Sequence, residues 1–150
     1  MKIYLGSDHA GFALKEKLIN YLNQKGIETI DCGTYSLDSC DYPDYAKRVA
    51  KKVQEEHTFG ILVCYTGIGM SMAANKYYGI RAALVGKVED AMLTRQHNDA
   101  NILCLSAKNT NENDAEAIVD AFLNTAFLGE RHLRRVNKIK AIEDEERKNC

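Results

Sequence analysis

Gly60-Ile61-Leu62-Val63-Cys64-Tyr65-Thr66-Gly67-Ile68-Gly69-Met70-Ser71-Met72-Ala73-Ala74-Asn75-Lys76 is the stretch from which the rest of the chain is read. Ile61, Leu62 and Val63 form a short apolar run of the kind found in strands covered on both faces, as in a parallel sheet. Cys64 ends the run. Thr66-Gly67-Ile68-Gly69 then permits a tight turn, because glycine tolerates positive φ and has no Cβ to block an approaching group. Residues 70–76 favour a helix. Strand, glycine turn and helix start together aim backbone N–H groups at one spot, which suits an anion, with Cys64 and Thr66 at its edge. The stretch lacks the third glycine of a dinucleotide fingerprint and the Gly-Lys-Ser/Thr of a P-loop. Alone it is equally a plain strand-to-helix turn behind a buried structural cysteine.

Outward from this stretch the chain alternates regularly. Upstream, residues 3–5 read as a strand, 6–11 as a turn, and 11–24 as a helix carrying Phe12, Leu14, Leu18, Ile19 and Leu22, stopped by Gly26. Residues 27–32 form a second strand closed by Gly33. Pro43, the only proline, suits the first turn of a helix whose apolar face includes Ala46, Val49, Ala50 and Val53. Downstream, residues 80–85 make a fourth strand, 88–96 a helix and 102–105 a fifth strand. Asn111 to Asn113 are helix-start residues before Ala115, Ile118, Val119, Ala121, Phe122 and Leu123. Five such alternations imply an α/β fold with a parallel sheet covered on both sides through right-handed crossovers. With 150 residues, no repeat and no linker, residues 1–150 are expected to form one domain.

After Gly129 a last helix, about residues 130–147, follows no strand. Its Leu133, Val136, Ile139 and Ile142 make a narrow apolar stripe that needs a cover, either another subunit or its own domain. The net charge of −1 gives no global basic field for nucleic acid or membrane, so any anion site must be local. No segment is apolar for long enough to span a bilayer, and the first eight residues break into glycine and charge too soon for an export signal. Five cysteines, an odd number without Cys-x-x-Cys spacing, predict reduced thiols and a cytoplasmic protein.

Ligands of open α/β sheets bind at the carboxyl ends of the strands. Asp8-His9 follows strand one, Cys64-Tyr65-Thr66-Gly67 follows strand three, His97-Asn98 closes the helix after strand four, and Lys108 lies beyond strand five. Arg131 and Arg135, four apart, share a helix face on which two guanidinium groups can grip one phosphate. Singly, Asp8 can be read as a helix cap, His97 as a polar helix end and the arginines as a solvated face. Together they supply a phosphate clamp, donors for an oxyanion, a candidate carbon base and a histidine, which is what a sugar-phosphate enzyme requires.

Gly6-Ser7-Asp8-His9-Ala10-Gly11-Phe12, Asp41-Tyr42-Pro43, Cys64-x-Thr66-Gly67-Ile68-Gly69-Met70-Ser71, Ala73-Ala74-Asn75-Lys76, Gly79-Ile80-Arg81-Ala82, Arg95-Gln96-His97-Asn98-Asp99-Ala100-Asn101 and Arg131-His132-x-x-Arg135-Val136 resemble, in that order, the ribose-5-phosphate isomerase type B family. The resemblance covers essentially the whole chain. It implies a Rossmann-like αβα sandwich with a five-stranded parallel sheet and an extra C-terminal helix, and interconversion of ribose 5-phosphate and ribulose 5-phosphate in the pentose phosphate pathway. Neither cofactor nor metal is implied. It further implies a homodimer, with a tetramer as the larger alternative, whose site is shared across an interface that includes the last helix.

Position by position, the resemblance makes Cys64 the base that moves a proton between carbons 2 and 1. A helix N-terminus favours the thiolate that this step needs. Thr66 and the amides of Gly67, Ile68 and Gly69 would hold the enediolate oxygen. His97 would open the furanose ring, with Asp8 polarising a sugar hydroxyl. His9, Arg131 and Arg135 would grip phosphate, Asn98 would hold a sugar hydroxyl, and Tyr42 and Lys108 would complete the substrate contacts. Two positions depart from the family. Tyr65 stands where glycine is usual, and Lys108 stands where many members carry an arginine, keeping the charge without the bidentate fork. The rival readings are isomerisation of a six-carbon sugar phosphate, allose 6-phosphate or galactose 6-phosphate, and a non-catalytic phosphate-binding module.

Overall fold

The computed structural model describes residues 1–148; Asn149 and Cys150 lie outside the described residues. The strands are β1 (Lys2–Ser7), β2 (Glu28–Asp31), β3 (Phe59–Cys64), β4 (Ala82–Leu84) and β5 (Ile102–Ser106). The helices are α1 (Phe12–Gln24), α2 (Tyr42–Glu56), α3 (Ile68–Ala74), α4 (Val88–Asn98), α5 (Glu112–Asn124) and α6 (Arg131–Lys148). All four strand pairings are parallel, in the order β2-β1-β3-β5-β4. The α/β reading of the sequence holds, and the sheet is covered on both faces.

The direction of each crossover decides which face its helix covers. The connections through α1 and α4 step along the sheet one way, and those through α2 and α3 step the other way. Helices of one handedness must therefore fall on opposite faces. Leu14, Leu18 and Leu22 of α1 and Ala91 of α4 accordingly share one core with Ala115, Ile118, Val119 and Phe122 of α5. Ala46, Val49, Ala50 and Val53 of α2 share the other with Met70 and Ala74 of α3. Alternate residues of β3 feed the two cores, Ile61 and Val63 one, Leu62 and Cys64 the other, as expected of a strand buried on both faces.

At α3, β4 and α4 the bounds differ from the sequence expectation. α3 starts at Ile68 instead of Met70, because Gly67 takes a left-handed conformation (φ 78°) as its cap. It also stops two residues short of the expected end. Asn75 leaves the helix to bridge to the next strand, its side chain donating to the Ala82 carbonyl at 2.9 Å and accepting from the Ala82 amide at 2.8 Å. β4 is shorter than residues 80–85, since the Ile80 amide closes a turn on the Tyr77 carbonyl. α4 runs to Asn98, two residues beyond the expected end, where Asp99 turns left-handed (φ 50°) and accepts from the Arg95 guanidinium at 2.9 Å.

α6 divides its apolar stripe. Val136 is covered by the chain's own α4 end, whereas Leu133, Ile139 and Ile142 stay exposed. Both ends of the helix are tied to its own domain. The Leu128 amide just before it donates to the Gln96 carbonyl, and Glu143 and Asp144 accept from the Gly79 amide and the Tyr78 hydroxyl at 2.7 and 2.9 Å. Among the described residues no helix is long and apolar enough to cross a membrane.

Candidate active site

The carboxyl edge of β1, β3 and β5 gathers most of the residues singled out in the sequence. Gly11 makes this possible. A Cβ there would lie 2.4 Å from the Val63 carbonyl oxygen, so only glycine lets the start of α1 back onto the end of β3. This brings Asp8, buried, to the strand that ends in Cys64. Asp8 Oδ1 accepts from the Gly11 amide at 3.0 Å, which closes the turn before α1 and leaves Oδ2 for a ligand; the cap of the helix is Gly11 itself, without a side-chain cap bond, so Asp8 is not the helix cap. His9 Nδ1 accepts from the Cys40 amide at 3.2 Å, which fixes the proton on Nε2 and leaves a donor suited to phosphate.

Cys64 is 5% exposed, and its sulfur accepts from the Gly67 amide at 3.2 Å. That contact strengthens when the sulfur is a thiolate, because a charged acceptor draws the donor more strongly. Gly67 admits no side chain, since a Cβ would sit 2.5 Å from Leu84 and 3.0 Å from the Leu105 carbonyl group. The amides of the turn are not equivalent. Gly67 is engaged by the sulfur and Ile68 by the Thr66 hydroxyl at 3.3 Å. The first turn of a helix has no internal acceptors for its amides, which leaves those of Gly69 and Met70 able to donate to a ligand. The ring of Tyr42 lies directly over Gly69, where a Cβ would approach it to 2.6 Å. Tyr65 and Lys108 flank the same edge.

His97, Asn98, Arg131 and Arg135 are elsewhere. The sequence reading set His97 and Asn98 beside the strand carboxyl ends, and the structure corrects this. A helix connecting parallel strands runs back along the sheet, so the end of α4 returns to the strands' amino edge. The Asn98 carbonyl accepts from Arg81 Nε at 3.1 Å, one residue before β4 begins. There His97, Asn98, Arg131 and Arg135 line a pocket of about 330 Å³ with His132, Val136 and Ile139. The two clusters thus sit at opposite ends of a six-residue strand, roughly 20 Å apart.

Two residues with local consequences escaped the sequence reading. The Lys15 side chain is fully buried, its Nζ 2.6 Å from Asp31 Oδ1 and 2.7 Å from the Thr34 carbonyl, which pins the loop after β2 beside the Asp8 turn. Its position three and seven residues before Leu18 and Leu22 put it on the buried face of α1, a legible signal. His132 is buried and stacks on His97, ring centroids 4.2 Å apart at 10°. Burial holds its pKa below the ordinary 6.5, and the neighbouring His97, Arg131 and Arg135 add to this against Glu130. His132 lies four residues before Val136, hence on the covered face.

A family model described as Ribose/Galactose Isomerase matches residues 3–139. The chain belongs to the ribose/galactose isomerase family. Its relatives in that family include Escherichia coli ribose-5-phosphate isomerase B, 46% identical over 143 residues that cover 95% of this chain and 96% of that protein. Among solved structures, Clostridium thermocellum ribose-5-phosphate isomerase B superposes with a TM-score of 0.96 at 45% identity, covering 97% of this chain and 99% of the other. The Mycoplasma genitalium ribose-5-phosphate isomerase B structure, which contains ribulose-5-phosphate, superposes with a TM-score of 0.93 at 44% identity, covering 96% and 97%. In this ribose/galactose isomerase the thiol and the glycine turn lie at the end of β3 and the paired arginines on α6.

Proposed function

We infer that this chain is an aldose-ketose isomerase that interconverts ribose 5-phosphate and ribulose 5-phosphate, an activity that belongs to the pentose phosphate pathway. The observation that carries the reading is the buried Cys64 sulfur facing a glycine turn with two unengaged amides, on a fold whose Mycoplasma relative holds ribulose-5-phosphate. The Cys64 thiolate takes the proton from carbon 2 of the open aldose and returns it to carbon 1. The charge that develops on the substrate oxygen meets the Gly69 and Met70 amides and the Thr66 hydroxyl. Such donors lower the barrier because the charge exists only along the reaction path. His97 opens the furanose ring, Asp8 and Asn98 hold sugar hydroxyls, and His9, Lys108, Arg131 and Arg135 bind phosphate.

The opposite placement of the two clusters means that one chain cannot bring both to one sugar phosphate. A symmetric dimer solves this, since a two-fold axis that sets the Cys64 end of one copy against the His97 end of its partner does so twice. Exposed apolar residues support such a contact at both ends. Ile68 and Leu84 lie at the turn after Cys64, and Leu133 and Ile139 flank the arginines. The free thiols of Cys32, Cys40, Cys64 and Cys104 suit a reducing compartment and hence the cytoplasm. The test is turnover of ribose 5-phosphate beside allose 6-phosphate and galactose 6-phosphate. Preference for the pentose is expected; preference for a hexose would assign the chain to the six-carbon branch of the family, and no turnover of any would leave a binding module.

A further inference from the structure

Beside Cys64 the phosphate-binding Lys108 has a partner, Tyr65, to which the roles above give no part. Tyr65 is 55% exposed, next in sequence to the reacting thiol, and Lys108 Nζ stands 5.6 Å from the centre of its ring. The pair is built by backbone contacts. β3 and β5 stay joined past their ends, the Ala107 amide donating to the Cys64 carbonyl at 3.0 Å and the Lys108 amide to the Tyr65 carbonyl at 2.9 Å. The Ser106 hydroxyl, in a buried residue, donates to the same Tyr65 carbonyl at 2.9 Å and accepts from the Asn109 amide at 3.0 Å. These bonds fix two neighbouring backbones so that the ring and the ammonium group meet across the ladder.

We propose that Tyr65 is a positioning residue for substrate phosphate: its ring holds the flexible Lys108 side chain at the Cys64 edge, in place of the rigidity that an arginine fork would bring. An exposed lysine has four rotatable bonds and loses rotamer entropy when it grips an anion. A cation resting on an aromatic face has already lost part of that freedom. The inference rests on the sugar-phosphate reading of the site. It makes Tyr65 act on binding through Lys108 and leaves proton transfer to Cys64.

The experiment measures KM and kcat for ribose 5-phosphate in Tyr65→Ala, Tyr65→Phe, Lys108→Met and the Tyr65→Ala/Lys108→Met double variant. An exposed cation–π contact predicts that Tyr65→Ala raises KM about two- to fivefold, with the loss carried by KM more than by kcat. Tyr65→Phe, which keeps a ring face, restores most of it. In the Lys108→Met background the Ala substitution adds nothing. Unchanged KM in Tyr65→Ala, equal loss in Tyr65→Phe, or the same loss with Lys108 absent would each overturn the positioning role. Failure of the unsubstituted protein to turn over any sugar phosphate would instead overturn the functional reading beneath it.

Discussion

At Cys64 the Gly67 amide donates to the sulfur beside the glycine turn, which places the thiol to carry the proton in the proposed reaction. Because that contribution is made along the reaction path and hardly in the bound ground state, Cys64→Ala should abolish turnover and leave the dissociation constant within a few-fold. Turnover measured beside calorimetric binding checks this; near-normal turnover in Cys64→Ala would remove the thiol as the base. Much at this scale is legible in the sequence. A glycine at position 67 and a thiol at a strand end follow from local pattern, whereas Asp8 closes the turn on the Gly11 amide instead of capping the helix. What local pattern cannot give is which amides remain free. That depends on the Thr66 hydroxyl turning back to Ile68 and on the sulfur claiming Gly67.

Among the elements, α1 and α6 carry the unanticipated groups. The Lys15 ammonium is fully buried on Asp31, whose side chain is 28% exposed, so the carboxylate can partly rehydrate when the lysine is lost. Lys15→Met should therefore cost about 2–3 kcal/mol, at or below the usual range for breaking a buried pair. The thermal midpoint should fall by roughly 5–10 °C. A midpoint equal to wild type would show that the pair does not anchor the loop after β2. On α6, His132 is held neutral by burial beside His97 and the two arginines, with its folded pKa below 6.5. The unfolded chain then binds the proton more readily than the folded one as pH falls below about 6.5, and stability declines with it. His132→Gln should flatten the dependence of the thermal midpoint between pH 7.5 and 5, and an unchanged slope would contradict the stacked, neutral histidine. The element boundaries that the sequence missed, at α3, β4 and α4, were moved by contacts that apolar periodicity does not carry: Gly67 against Leu84 and Leu105, Asn75 on Ala82, and the Arg95 guanidinium on the Asp99 cap.

For the whole molecule, the sheet order and the two cores follow from alternation and crossover direction, which is why the fold was readable. The site was readable only as a set of residues. Sequence order places His97 after strand four, but the returning path of α4 carries it to the far edge of the sheet, so the set divides into two clusters within one chain. The central claim is that two copies close each other's sites, and it can be tested by mixing two inactive variants. Cys64→Ala retains the His97 cluster and His97→Asn retains the thiol. After subunit exchange at random, half of the dimers are mixed and each carries one intact site, so activity should return to about a quarter of the wild-type level. No recovery in a mixture whose subunits have demonstrably exchanged would contradict a site built from two copies of this chain.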